Sequence, residues 1–254
     1  MREGPYEIIV LDEQNKRFPE MFLNDQWIIQ ARPGSTYHVQ INVYRDNQGL
    51  FPAKYLRLGL FVDGDDVQYW KRLDFSDEKQ LPKDRHVPVT SIFWGFKKDT
   101  TEIRSFMFAQ PSTSTVRDNT SSVSSSSNSS SSSNDNPYQT SETKKELGTI
   151  RLIVHEAKVT QGVYANNTGC HNIPSSETKK ISENEKYWKQ ASVVTTTGNR
   201  VTSEKEKFLP LNRWENRSVI PIHTMTLFYH QEDVIRLLKN SNLQLKRKQR
   251  EKMK

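Results

Sequence analysis

Apolar and polar positions alternate with a period of two through residues 56–62, where Leu56, Leu58, Leu60 and Val62 fall on one side and Arg57, Gly59 and Phe61 on the other. A strand with one buried face reads this way, because successive side chains point to opposite faces of a sheet. Asp63-Gly64 follows, a pair suited to a tight connection, since Gly takes positive φ without steric cost and Asp tolerates it better than most residues. Val67 and Tyr69 then resume the alternation and Trp70 closes it, so the pattern predicts a β-hairpin over residues 56–70.

The same period recurs on both sides of this hairpin. Residues 6–11 and 27–31 are apolar runs of strand length. After the turn pair Pro33-Gly34, residues Tyr37, Val39, Ile41 and Val43 alternate with His38, Gln40, Asn42 and Tyr44. Val87 and Val89 lead into the aromatic run Phe93-Trp94-Gly95-Phe96, and residues 103–109 put Phe106 and Phe108 on one face. Short strands separated by turn signals, with no helical period among them, predict an all-β fold, an antiparallel two-sheet β-sandwich of jelly-roll or immunoglobulin-like type. Trp70, Phe93, Trp94, Phe96, Phe106 and Phe108 are assigned to its core because they sit in alternating strands.

Beyond Pro111 the pattern stops. Residues 121–133 hold eleven Ser, one Val and one Asn. Almost no apolar surface is present there to offset a backbone ordering cost of about 1–2 kcal/mol per residue, so residues 112–146 are expected to form a disordered Ser/Asn-rich insertion. Strand character returns at LGTIRLIVHEA, where Ile150, Leu152 and Val154 share a face, and the insertion is therefore expected to separate two strands of one sandwich. A second polar region covers residues 174–189, with a short amphipathic helix expected over 181–189. Val193-Val194, Arg200-Val201, residues 219–222 and residues 225–229 are further strand candidates. A short C-terminal helix is expected over residues 231–245, with Val234, Leu237, Leu238 and Leu245 as its apolar stripe, Glu232 and Asp233 at its N-terminal dipole end and Asn240 as a stop signal. The division expected is one sandwich domain over residues 1–240 and a basic tail over 241–254.

Composition adds three points. Only 33% of the 254 residues are hydrophobic and the mean hydropathy is -0.81, in line with a segment that cannot bury itself. The lone cysteine, Cys170, excludes an intramolecular disulfide and fits a reducing compartment. No run approaches the ~18 apolar residues of a membrane span, and the opening MREGPYEIIV is too short in apolar residues for a signal-peptide core. An intracellular protein of the nucleus or cytoplasm, without a membrane association, is the expectation. The formal charge of +7 is concentrated at the end, where residues 246–254, KRKQREKMK, carry six Lys or Arg against one Glu and so +5 of it.

Candidate chemistry is sparse. Asp63, Asp65 and Asp66 cluster at the hairpin tip, where carboxylates attract Ca²⁺, but their spacing is not that of an EF-hand and turn chemistry accounts for them. Cys170-His171 lacks the paired spacing and the second Cys of a zinc site. His38, His86, His155, His171, His223 and His230 are scattered, with no nucleophile-elbow glycine pattern nearby. No catalytic residue, metal ligand or cofactor-binding residue is assigned, and no cofactor is expected. The one specific feature is the tail, in which Lys246, Arg247, Lys248, Arg250, Lys252 and Lys254 suit an import receptor or phosphate groups.

Several stretches, in order, carry a family resemblance: Pro33-Gly34 followed by Tyr37, Val39 and Ile41; Phe61-Val62-Asp63-Gly64; Phe106-Met107-Phe108-Ala109; Leu147-Gly148-Thr149-Ile150; and Leu227-Phe228-Tyr229 before the terminal helix. Together they resemble an uncharacterised eukaryotic domain family, a domain of unknown function common in fungal proteins. The resemblance spans roughly residues 6–240 and implies one β-sandwich-like domain with a variable low-complexity loop, and no catalytic residues. The family places an Arg after the late Phe-x-Tyr pattern, where this chain has His230.

The function these readings lead to is that of a non-catalytic protein-interaction module with an unidentified protein partner, using loop ends at one rim of the sandwich. The alternatives are a nuclear, nucleic-acid-associated protein using the basic tail, and a hydrolase or glycan-binding protein with an unrecognised pocket.

Overall fold

The structure, a computed structural model, describes residues 1–84, 86–99, 102–114, 146–161, 180–182, 193–202 and 212–252, with side chains of the terminal helix described as far as Gln244. In chain order its elements are β1 (Arg2–Glu3), β2 (Tyr6–Asp12), β3 (Glu20–Leu23), β4 (Gln26–Gln30), β5 (Thr36–Val43), β6 (Tyr55–Val62), β7 (Asp65–Asp74), a 3-10 turn (Glu78–Gln80), β8 (Val89–Phe93), β9 (Gly95–Lys97), β10 (Glu102–Ala109), β11 (Ser112–Ser114), β12 (Thr149–Gln161), β13 (Lys180–Ser182), β14 (Val194–Thr202), β15 (Asn212–Asn216), β16 (His223–His230) and α1 (Glu232–Lys252). Sheet I runs β1-β2-β5-β10-β14, with β8 added to β5 and β9 to β10. Sheet II runs β3-β4-β16-β12-β6-β7, with β15 added to β12. The strands pair antiparallel except for β4 with β16 and a separate small ribbon of β11 with β13.

The fold is the all-β two-sheet sandwich that the alternation predicts. Its inner layer is the set of residues one strand face contributes at every second position. Ile8, Val10, Val39, Ile41, Val43, Phe106 and Phe108 come from sheet I, and Leu56, Leu58, Leu60, Val62, Ile150, Leu152, Val154 and Leu227 from sheet II. All are removed from water, each contributing on the order of 1.5–3 kcal/mol. The hairpin forms as expected, with φ of 54° at Asp63 and 82° at Gly64, the paired positive values of a type I′ turn. Strand β12 begins directly after residue 148 and lies between β16 and β6.

One break in the pattern has a steric cause. β8 pairs with β5 while β9, its continuation past Trp94, pairs with β10. The shift needs the backbone of residue 95 to press against β10, where a Cβ would stand 1.8 Å from the Arg104 carbonyl oxygen, so only Gly fits.

Other expectations are corrected. Residues 112–114, assigned to the disordered insertion, form β11, and Glu146 at its far end pairs with Arg151 at 2.6 Å. Residues 180–182 form β13, so 181 and 182 are not helical, while most of the insertion and residues 174–179 and 183–189 lie outside the described residues. Val194, Arg200 and Val201 fall in one strand, β14. Residues 219–222 are not a strand but an exposed loop. Helix α1 passes through Asn240 to Lys252, and among its described side chains the buried one is Ile235, whereas Leu237 of the expected stripe is 65% exposed. Among the aromatics assigned to the core, Phe93, Phe96, Phe106 and Phe108 are buried. Trp94 is 40% exposed, and Trp70 is half-buried on the outer face of sheet II, its ring laid over Gly59, where a Cβ would come within 2.7 Å of it.

Candidate interaction surface

The sandwich has two unlike ends. At the first, β6 turns into β7, β5 begins and β16 finishes. Asp63, placed at this turn by its tolerance of positive φ, directs its carboxylate inward and is 3% exposed. Oδ1 accepts from the Gly148 N–H at 2.6 Å and from the Tyr229 hydroxyl, and Oδ2 accepts from the Thr195 N–H at 2.7 Å. Because Tyr229 gives its one hydrogen to Asp63, Thr195 Oγ1 must donate to Tyr229 (2.9 Å), and Tyr37 must then donate to Thr195 (2.7 Å). Three hydroxyls thus point in sequence toward one carboxylate, under Phe106 and Phe108, whose rings stack on Tyr37 at 5.1 and 4.1 Å. Burial holds the Tyr37 and Tyr229 phenols well above their ordinary range, helped by the Asp63 charge.

This cluster ties β6, β12, β14, β16 and β5 together at one point. It occupies Asp63 with three donors of the chain itself, so the hairpin carboxylate considered for Ca²⁺ is structural. Asp66 in turn accepts the Gln68 N–H at 2.8 Å. Among the described residues no three His, Cys, Asp or Glu side chains gather as a metal site. Cys170 and His171 lie outside the described residues.

At the second end β2, β6, β8 and β16 begin. The two sheets meet there through Tyr6, stacked on His223 at 4.9 Å. The loop between β15 and β16 carries Val219 at 94% and Ile220 at 75% exposure, with Pro221 and the exposed Ile222 after them. Large apolar side chains in a row are not left in water at random. Nor is this loop loosely attached. The Arg217 N–H donates to the Glu156 carbonyl and the Ile222 N–H to the Val154 carbonyl, both at 2.9 Å, and the Ile220 N–H donates to Ser218 Oγ at 3.0 Å. Beneath it the His155 ring, 5% exposed, meets the Ser218 carbonyl at 3.2 Å through Nδ1, which therefore carries the hydrogen. Burial pushes this histidine below its usual pKa, the Ser218 contact opposes that and the Arg57 charge adds to it, so the ring is held neutral.

On the outer face of sheet II the loop continues into a cationic and aromatic surface. Arg57 donates to Asn216 Oδ1 at 2.8 Å and lies 4.7 Å from the Trp70 ring, and Tyr55 meets Trp214 edge to face at 5.5 Å. A shallow depression of about 560 Å³ opens elsewhere, at the sheet edge, lined by Met1, Glu7, Arg17, Glu20 and Trp27 among others. Its carboxylates are taken up by the chain's own cations: the Met1 ammonium and Arg17 both bind Glu20, at 2.6 and 2.8 Å, and Arg17 also reaches Glu7 at 3.5 Å.

Of the residues singled out in the tail, Lys246, Arg247, Lys248, Arg250 and Lys252 lie on the backbone of α1, and Lys254 lies outside the described residues. The loop at 219–222 was missed as a surface because its four apolar residues read as a buried strand. The signal that could have found it is Pro221, which has no N–H for a ladder. Comparison of the chain with protein-family models, with curated proteins and with solved structures gives no match.

Proposed function

We propose that the chain is a non-catalytic interaction module that meets its partner through the rim bearing residues 217–222. The observation that carries this reading is the Val219-Ile220-Pro221-Ile222 loop, apolar and exposed yet hydrogen-bonded at both ends to β12. A held-out apolar loop costs solvation in the free protein and regains it on contact, and its anchoring reduces the ordering cost of binding. A photo-crosslinking residue at Val219 is expected to give a discrete adduct in cells, and one at Arg32, exposed at the opposite end, none. Equal labelling from both positions, or none from either, would sink the reading.

A second reading has its own support. Helix α1 is continuous to Lys252, which sets Lys246 to Lys252 roughly 16 to 26 Å beyond Ile235 along the axis. Basic residues on a projecting helix suit the phosphates of a nucleic acid. Deleting residues 246–254 would then abolish binding to a nucleic acid together with its salt dependence, and an unchanged affinity would remove this reading. Nothing among the described residues adds to the reading as a hydrolase or glycan-binding protein.

A further inference from the structure

An antiparallel sheet with one face to water normally keeps that face polar, and sheet II departs from this. Its outer positions hold Phe61 on β6, Trp70 on β7 and Ile153 on β12, each only part-buried. The centre of the face is flat, because the Trp70 ring lies down over Gly59. Gly59 stands opposite Trp70 on one side and Ile153 on the other, so the three form one row across the strands. From β16 to β7 the sheet is four strands wide, and β6 is eight residues long. At ordinary sheet spacing this face spans roughly 19 by 27 Å, so two copies laid together remove on the order of 1,000 Å² from water, the size a specific interface must reach.

The rows that flank this centre are complementary to one another. Toward the open end lie Arg72, Arg57 and His155, on β7, β6 and β12 in that order, and toward the closed end lie Asp66, Phe61 and Arg151. A two-fold axis running across the strands through the central row lays each flanking row on the opposite row of a second copy. Arg72 then meets the partner's Asp66 and Arg57 the partner's Phe61, both contacts occurring twice, while Trp70 and Ile153 each meet their own counterpart. His155, which burial holds neutral, meets the partner's Arg151, whose charge is paired with Glu146 in its own chain. An axis along β6 would instead set Arg57 against the partner's Arg57, a like-charge contact. Asp66 accepts the Gln68 N–H and Arg57 donates to Asn216, and a carboxylate and a guanidinium each offer several hydrogen-bonding positions, so both retain capacity for a contact across the axis.

We infer that the outer face of sheet II is a homodimer interface, occupied by a second copy of this chain, with the two-fold axis across the strands at the row of Trp70, Gly59 and Ile153. This interface is separate from the rim at 217–222 and adds valency to it. The strands of the two copies run in opposite directions about such an axis, so the two rims lie at opposite ends of the dimer and each engages a partner of its own.

The test is sedimentation velocity of the full chain from micromolar to hundred-micromolar concentration, with the melting temperature of each variant checked first. The wild type is expected to sediment at twice the mass of one chain. Arg72→Glu, at an exposed position, sets a carboxylate against the partner's Asp66 and is expected to weaken association at least about tenfold. Adding Asp66→Arg to it restores opposite charges across the axis and is expected to recover most of that loss. Ile153→Glu puts two carboxylates face to face on the axis and is expected to leave the chain monomeric. A wild type that stays monomeric at the highest concentration overturns the inference. So does a dimer that Arg72→Glu and Ile153→Glu both leave intact, which would place the contact elsewhere on the molecule. A monomer that still gives the Val219 crosslink loses this interface and keeps the rim as a contact site, whereas a dimer sensitive to both variants but without that crosslink keeps the interface and loses the rim.

Discussion

The two ends of the sandwich differ in the polar groups at their centres. At the closed end Asp63, Tyr37, Thr195 and Tyr229 form a chain in which every hydroxyl has a donor or acceptor role and the carboxylate has three donors. At the open end the Tyr6 hydroxyl is buried with no hydrogen-bond partner among the described residues, His223 Nε2 meets only the Glu3 carboxylate at 3.5 Å, and apolar side chains stand in water above them. A fully satisfied buried network rigidifies, whereas unpaired polar groups and exposed apolar ones each leave free energy unrecovered. Stability is therefore concentrated where the hairpin turns, and contact with a partner where the loops gather. The closed-end cluster also fixes register across the sheets, because it binds Gly148 and Thr195, which stand at the starts of β12 and β14.

The largest expected effect comes from breaking the closed end at its centre. Asp63→Ala strands the Gly148 N–H, the Thr195 N–H and the Tyr229 hydroxyl without an acceptor and puts Ala at positive φ. We expect a loss of about 3–5 kcal/mol, read as a lower urea midpoint. A loss under about 1 kcal/mol would mean that water replaces the carboxylate and that the end is not sealed. Tyr229→Phe is a smaller break of the same cluster. It removes one donor to Asp63 and the acceptor of Thr195, and is expected to cost about 1–3 kcal/mol.

Titration reaches the two ends through different groups. Tyr37 and Tyr229 have folded pKa values above the unfolded value near 10, so their contribution is complete below about pH 10 and is lost as pH rises past it. Tyr6, pushed up to about 12 by burial, adds to this alkaline loss from the other end. A shallower alkaline decline in Tyr229→Phe is therefore the measurement that assigns a share to the closed end. On the acid side the sign reverses. His155, under the open-end loop, and His38, beneath Trp94 at 4.6 Å, are both pushed down by burial, against which Asp12 acts at His38. A depressed folded pKa gives stability that is present above the unfolded value near 6.5 and is lost as pH falls through it toward the folded one. The urea midpoint is expected to fall on acidification through that window, and to fall less in His155→Gln. An identical decline in the variant would remove His155 as the open end's acid-sensitive group.

How far the sequence discloses these ends depends on the range of the interactions that make them. The period-two runs at 37–43, 56–62 and 103–109 carry their own burial pattern, and Asp63-Gly64 carries its own turn. The partners that draw the Asp63 carboxylate inward are 85, 132 and 166 residues away, and no local pattern encodes them. At the open end the error has the opposite form. Residues 219–222 are apolar without alternation, which suits a fully buried strand as well as a loop. Helix α1 shows a third case: the stripe at Val234, Leu237 and Leu238 has the correct period, yet Ile235, off that stripe, is the residue that is buried. Where the helix leaves β16 decides which side meets the sheets, and periodicity does not fix that direction.

The smallest expected effect is the most informative about the open end. Ile220→Ser removes a side chain that already stands in water, so little burial is lost and the urea midpoint is expected to move by no more than about 0.5 kcal/mol. The N–H that this residue donates to Ser218 belongs to the backbone and is unaffected. A substitution silent in stability but damaging to contact is what a surface held ready for a partner gives. A loss of more than about 1 kcal/mol would instead show that Ile220 is covered in the free protein, and the comparison between a sealed end and an open one would then fail at the residue on which it most depends.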